Sequence, residues 1–260
     1  MTADGNSVPG RSVDVDRSLW EQHSQWWVDE FTDGVDPEYE EQIIPLAVNV
    51  LGECRVVLDA GTGEGQCARA LARAGVQVIG MDPAFAQLRV AAERDHAAAL
   101  MQGAIESLPV ASGSVDGVLA CLVFEHVPNH VPAISEISRV LQPGGRFLLV
   151  LNHPLMQTPE SGWVIDHVLD EQYWRVGPYL DVAVAEEELA PGVVLPFVHR
   201  PLSKYVNALA DQGLVIERMF EFEPPAAFLA KAPEYAETGK IPRILGLVTQ
   251  RRYDAESLAT

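Results

Sequence analysis

Basic residues are scarce in this chain: 18 lysines and arginines stand against 37 aspartates and glutamates, a formal charge of -19 over 260 residues. Such an excess of acid repels phosphate backbones and anionic headgroups, so neither nucleic acid nor a membrane surface is expected as a partner. Cysteine is scarce too. Cys54, Cys67 and Cys121 are odd in number and scattered, which argues against a disulfide framework or a knuckle of metal ligands and for a reducing compartment. No apolar run approaches the ~18 residues that span a bilayer, and the first residues lack the basic start and apolar stretch of an export signal, so the expected location is cytoplasmic. Internal repeats and low-complexity tracts are absent as well.

Hydrophobic residues, by contrast, make up 48% of the chain, enough to bury a core of its own in a single domain. Residues 1–17 carry Gly, Ser, Pro and Asp without periodicity and are expected to be disordered. Ser18 then reads as the cap of a helix over 19–31 that holds three tryptophans, and a second helix is expected over 37–51 with proline in its first turn. Strands near 55–60, 76–81, 98–102, 115–121 and 145–151 alternate with helices near 65–74, 84–96 and 131–141. Such alternation predicts an α/β fold with a doubly wound, mostly parallel sheet, and the continuous apolar runs predict strands covered on both faces. A helix near 201–211 and a strand pair near 214–221 and 243–251 close the domain, 18–260. Between them, residues 153–200 show no clean period but carry three histidines and Trp163, Tyr173, Trp174 and Tyr179. An aromatic insertion after the carboxyl end of a strand lies where open α/β sheets bind ligands, and the expectation is a substrate lid or else an extra structural subdomain.

The run Val56-Val57-Leu58-Asp59-Ala60-Gly61-Thr62-Gly63-Glu64-Gly65 is the densest signal: an apolar strand, an acid, then alternate glycines at a helix start. Glycines at that spacing let a ligand pack against the main chain and let the turn visit positive φ. Asp82 ends the next apolar strand, 21 positions after Gly61, where a carboxylate can accept both hydroxyls of a ribose.

Four motifs then resemble one family in order and spacing: LDAGTGEGQCARALA, GMDPA, GAIESLPVASGSVDGVLACLVFEHV and EISRVLQPGGRFLLVLNHP, between residues 56 and 154. They resemble the class I S-adenosylmethionine-dependent methyltransferases, specifically the small-molecule branch that includes ubiquinone and menaquinone methyltransferases. The resemblance implies a Rossmann-like seven-stranded sheet whose last strand is inserted antiparallel, and S-adenosyl-L-methionine as cofactor. It implies that Asp59, Gly61, Thr62, Gly63 and Gly65 cradle the methionine half and that Asp82, followed by Pro83, holds the ribose. Ala104 and Ile105 stand where the family shows Asp-Ala, so the acid that reads adenine is missing here; Glu106 or the main chain would replace it. Leu122 resembles the residue whose backbone faces the methionine group, and Glu125-His126-Val127 matches the end of that motif.

Two other readings share these residues. Gly63-x-Gly65-x-x-Ala68 also fits a dinucleotide fingerprint, which would make the chain an NAD-dependent oxidoreductase; a non-catalytic S-adenosylmethionine-binding module is the second. For methyl transfer to a small, largely apolar acceptor, positioning and water exclusion supply most of the acceleration, and a histidine near neutrality is the natural base for the proton that an acceptor loses. His153, directly after the fifth strand, is the first candidate and His126, after the fourth, the second. His167 and His199 belong to the insertion, and no metal is expected because the histidines lack helical ligand spacing. Trp20, Trp26, Trp27, Trp163, Tyr173 and Trp174 are candidates to wall an apolar acceptor pocket; Trp20 and Trp27 share a helix face, the pattern of core packing, while the remaining face, with Trp26 or Trp27, would close over the cofactor's sulfonium. The Pro-rich stretch 223–229 packs either on the insertion or on the second subunit of a homodimer.

Overall fold

The computed structural model describes residues 18–94, 99–236 and 239–253; the disorder expected of residues 1–17 lies outside them, as do the ends of the helix and strand expected to meet near 95–98. Seven strands form one sheet, β1 (Val56–Ala60), β2 (Gln77–Asp82), β3 (Ala99–Gln102), β4 (Val115–Cys121), β5 (Leu141–Asn152), and two further strands, Leu214–Phe222 and Ile244–Arg251, which we number β10 and β11. Their order is β10-β11-β5-β4-β1-β2-β3. Pairing is parallel from β5 through β4, β1 and β2 to β3, while β11 runs antiparallel between β5 and β10. The chain leaves β1 toward β2 and β3 on one side and returns to β4 and β5 on the other, so the strand order reverses between β1 and β4 and opens a crevice at their carboxyl ends.

Helices cover both faces, because alternate residues of each central strand are apolar on both sides. Leu58 and Ala60 of β1 join Val118, Phe147, Leu149 and the helices α6 (His130–Val140) and α7 (Leu202–Asp211) in one core layer. Val57, on the opposite side of the same strand, joins Val78, Leu148, Val150 and the helices α3 (Ile44–Leu51) and α4 (Gln66–Arg73) in the other. Helix α5 (Phe85–Arg94) packs over β2 and β3.

At the N-terminus the single helix expected over 19–31 is two, α1 (Ser18–Gln22) and α2 (Ser24–Phe31), because His23 leaves the helical region at ψ 13°. The helix expected over 37–51 begins at Pro37 as expected, winds as a π-helical turn over Tyr39–Ile43 and runs on into α3. The insertion is more regular than its sequence suggested. It holds two antiparallel hairpins, β6 (Gly162–Asp166) with β7 (Glu171–Arg175) and β8 (Ala183–Ala190) with β9 (Val193–His199), neither joined to the main sheet. The Pro-rich stretch forms α8 (Ala226–Lys231), whose Phe228 meets Tyr235 and the Arg243 guanidinium.

Candidate active site

The glycine loop is built by β1 delivering Asp59 into the core and then turning over β2. Gly61 and Thr62 both donate their N–H to the Met81 carbonyl, at 2.7 and 2.9 Å, and Thr62 Oγ1 donates to Asp59 Oδ2 at 2.8 Å. Gly61, Gly63 and Gly65 sit at φ of +85°, +56° and +86°, a region costly to any residue with a Cβ. At Gly61 the need is also spatial: a Cβ there would lie 2.2 Å from Cγ2 of Val123, two residues beyond β4. The loop therefore closes against the exit of β4, which bends sharply itself, with Leu122 at φ +53° and its N–H donated to the Val150 carbonyl at 2.9 Å. A leucine in the left-handed region is strained, and such strain clusters at ligand clamps.

Asp82 fixes the other wall. Its Oδ2 accepts the Gly63 N–H at 2.9 Å and its Oδ1 the Ala84 N–H at 2.8 Å, so one carboxylate holds the loop to the turn before α5. Each oxygen keeps a second lone pair toward the cleft. Burial pushes the Asp82 carboxyl up to about 6 and that of Asp59 up to about 7, the latter countered by its Thr62 hydrogen bond. Glu64 is buried beneath the loop and pairs with Arg69 at 2.7 Å and Arg94 at 2.6 Å. Arg94 reaches on to Thr32 Oγ1 at 2.9 Å and to Asp33 at 2.8 Å, tying the loop to the end of α2.

The resulting cleft encloses about 970 Å³, part of it open to solvent. Eleven of the twelve cofactor-binding candidates line it: Asp59, Gly61, Thr62, Gly63, Asp82 and Pro83 on the loop side, Ala104, Ile105 and Glu106 beyond β3, Leu122 after β4, and Trp27 above. Gly65 does not; it caps α4 and donates its N–H to the Thr62 carbonyl at 2.9 Å. Trp20 and Trp27 both wall the cleft, in edge contact at 5.3 Å, and Trp27 also packs against the core layer of α3 and α4, so the face that they share forms a roof anchored on the core. Glu21 accepts the Ala86 N–H and Gln87 Nε2 donates to the Ser24 carbonyl, at 3.1 and 3.4 Å, which docks that roof on α5. Tyr39, Cys67 and Gln87 also line the cleft; sequence reasoning passed over all three, and their only signal is proximity to elements that the glycine motif places. Trp26 meets Phe31 and Trp27 edgewise, and Trp163 and Trp174 pack on each other and on Tyr235; Trp26, Trp163 and Trp174 do not line the cleft.

The two histidines separate. His153 is buried away from the cleft, its Nδ1 accepting the Leu155 N–H at 3.2 Å and its Nε2–H facing Glu221 Oε1 at 3.0 Å. Both nitrogens are thereby used, so the first-ranked base is a brace between β5 and β10. The reason is lateral: its ring turns across the sheet toward a strand 68 residues further on. His126 does line the cleft. Its Nδ1 lies 3.1 Å from the Pro196 carbonyl in β9, and since a carbonyl only accepts, that nitrogen carries the hydrogen and Nε2 keeps a lone pair. Trp20 and Phe197 meet the ring edgewise at 4.6 and 4.7 Å, and burial lowers its pKa to about 4, so the ring is neutral at physiological pH. His167 lies in the exposed β6–β7 turn, and His199 donates Nε2–H to the Tyr179 carbonyl at 2.9 Å. Among the described residues no group of three or more His, Cys, Asp or Glu side chains is placed to hold a metal ion.

A sheet with one antiparallel strand second from its edge, and a glycine-and-acid cleft at its switch point, define a Rossmann-like enzyme of the methyltransferase type. A family model described as a methyltransferase domain matches residues 58–149. An uncharacterized methyltransferase of Mycobacterium bovis is 34% identical over 180 residues, 69% of this chain and 67% of that one. The crystal structure of an S-adenosylmethionine-dependent methyltransferase from Mesorhizobium loti aligns with a TM-score of 0.70 at 27% identity over 84% of this chain and all of that one; a putative one from Listeria monocytogenes shares the fold at a TM-score of 0.70 and 21% identity, over 83% and 97% of the two chains. The chain belongs to the S-adenosylmethionine-dependent methyltransferases, with S-adenosylmethionine as its cofactor. The dinucleotide and non-catalytic readings of the glycine loop are set aside by these relatives. Among the described residues no helix is long and apolar enough to cross a membrane.

Proposed function

We propose that the protein methylates a small, largely apolar acceptor that enters between the tryptophan roof and the inserted β9, with His126 receiving the acceptor's hydrogen bond. The observation that carries this reading is the His126 ring: it is the imidazole of the cleft, its tautomer is set by Pro196, and its lone-pair nitrogen is flanked by Trp20 and Phe197. The cofactor supplies a methyl group on a sulfonium, which leaves without acid catalysis. The chain's residues then have three tasks. Asp82 and the glycine loop hold the ribose and methionine parts; Glu106, beside Ala104 and Ile105 in the cleft, offers a carboxylate to the adenine amino group in place of the family's acid. Trp20 and Trp27 exclude water and present aromatic faces to the positive sulfur.

His126, third, accepts the hydrogen bond of the acceptor's hydroxyl or acidic carbon and aligns it for attack. With a conjugate-acid pKa of about 4, below the near-neutral value expected of a base, it stays neutral and acts by orienting the acceptor and polarising the departing proton rather than by holding it. Residues 153–200 act as the lid of this acceptor site, a reading supported by β9, whose Pro196 and Phe197 back the His126 ring. A quinone or phenolic acceptor, as in the ubiquinone and menaquinone branch, matches the apolar walls. Screening quinols and phenols with radiolabelled cofactor tests the reading: His126→Phe should lower kcat on the best acceptor by ~10²-fold while leaving cofactor affinity within threefold, and unchanged turnover would remove His126 from the chemistry.

A further inference from the structure

Tyr39 opens the π-helical turn and is buried, with its side chain on the cleft. π-Turns are rare and recur at functional sites, because they aim one side chain out of helical register. The Cys121 thiol donates to Tyr39 Oη at 3.8 Å, which uses the hydroxyl as an acceptor; among the described residues no group accepts its hydrogen. Burial, reinforced by the Cys121 and Cys67 thiols, raises the phenol well above its ordinary pKa, so that hydrogen stays in place at any working pH.

Position along the cleft indicates what receives it. Asp82, Pro83, Ile105 and Glu106 come from the β2 and β3 side, where the nucleoside lies, whereas Tyr39 meets Cys121 at the end of β4, on the side left for the methionine half. That half carries a carboxylate. Yet among the described residues no lysine or arginine lines the cleft, and Arg69 and Arg94, which reach the loop from below, are engaged by Glu64. A carboxylate brought into such a site needs strong neutral donors to offset its desolvation. We propose that the Tyr39 hydroxyl donates to the methionine carboxylate of the cofactor and is the residue that positions the amino-acid half. Because Tyr39 belongs to the segment that follows the tryptophan helices, the same contact secures the roof once cofactor is in place.

The inference rests on the cofactor assignment and is tested by calorimetric titration of the full chain and its Tyr39→Phe variant with S-adenosylmethionine, S-adenosylhomocysteine and methylthioadenosine, which lacks the amino-acid half. Loss of one hydrogen bond to a charged group should weaken the first two by ~10–100-fold in the variant, with methylthioadenosine within twofold of its parent value. A carboxamide analogue of S-adenosylhomocysteine gives a second readout: its neutral oxygen accepts the same bond more weakly, so it should bind the parent more weakly than the acid does and lose less than the acid in the variant. Equal loss with all three ligands would make Tyr39 a packing residue and overturn the proposal, as would unchanged affinity for all three. Parent protein that binds methylthioadenosine but not S-adenosylmethionine would overturn it too, whereas parent protein that binds none of the three would overturn the cofactor assignment and the proposal with it.

Discussion

Replacing Glu64 by glutamine should loosen the glycine loop and the tryptophan roof together. The carboxylate is 1% exposed and shared between Arg69, 11% exposed, and Arg94, 24% exposed. Removing one partner of a buried ion pair costs about 3–5 kcal/mol, because the other charge is stranded. Glutamine keeps one acceptor oxygen, Arg94 retains Asp33 and Thr32, and Arg69 retains the Glu64 backbone carbonyl, so the loss should be on the order of 2–3 kcal/mol. For a domain of this size each kcal/mol moves the melting temperature by about 2–4 °C, and calorimetry should therefore find Glu64→Gln melting ~5–10 °C below the parent. A double-mutant cycle with Arg94→Met should show coupling of ~1–3 kcal/mol between the two sites. A variant melting within ~1 °C of the parent, or strictly additive changes, would mean that the network is not holding the loop.

Stability should also fall between pH 6.5 and 8. Burial raises Asp59 and Glu125 to about 7 and Asp82 to about 6, so the folded chain binds these protons more tightly than the unfolded one and loses that stabilisation as pH climbs through those values. His126 and His130, lowered to about 4, act in the opposite sense until the unfolded imidazoles have lost their protons, up to pH ~7.5, and so offset part of that loss. Urea unfolding should thus show a net loss on the order of 1 kcal/mol from pH 6.5 to 8, partly relieved in Glu125→Gln, and a loss unaltered by Glu125→Gln would contradict the burial of that acid. Trp27→Ala should weaken cofactor binding by ~10-fold or more and cost on the order of 2 kcal/mol of folding, since the half-buried ring lines the cleft while also packing against the core beneath it; a loss of folding with no loss of binding, by unfolding and titration, would refute the roof.

Much of this was legible in the residues themselves. The strand Val56–Ala60 is apolar at every position but Asp59, the pattern of a strand buried on both faces; the alternate glycines beyond it are forced by positive φ and, at Gly61, by Val123, which a Cβ would overlap at 2.2 Å. The insertion was not legible because Glu186, Glu187 and Glu188 interrupt the alternation of β8 and Pro196 sits within β9, although Pro191-Gly192 between them was a turn signal. His153 shows the limit of placing a side chain by its strand. Position put it at the carboxyl edge, but Glu221, far along the chain, determined where its ring went. The tryptophan segment was half legible: Trp20 and Trp27 do share a face and Trp27 packs against the core, and only the tertiary fold decides that the same face also covers a cleft.

Calorimetric titration with S-adenosylmethionine, on the parent and on Asp82→Asn, tests the account most directly. Asparagine offers one acceptor where the carboxylate offers two, and turns an N–H toward Gly63 or Ala84, each of which now donates to Asp82. The account predicts micromolar binding by the parent and a loss on the order of 10²-fold in the variant. Undiminished binding in the variant would contradict the cleft geometry, and a parent that ignores S-adenosylmethionine while binding NAD would contradict the account as a whole.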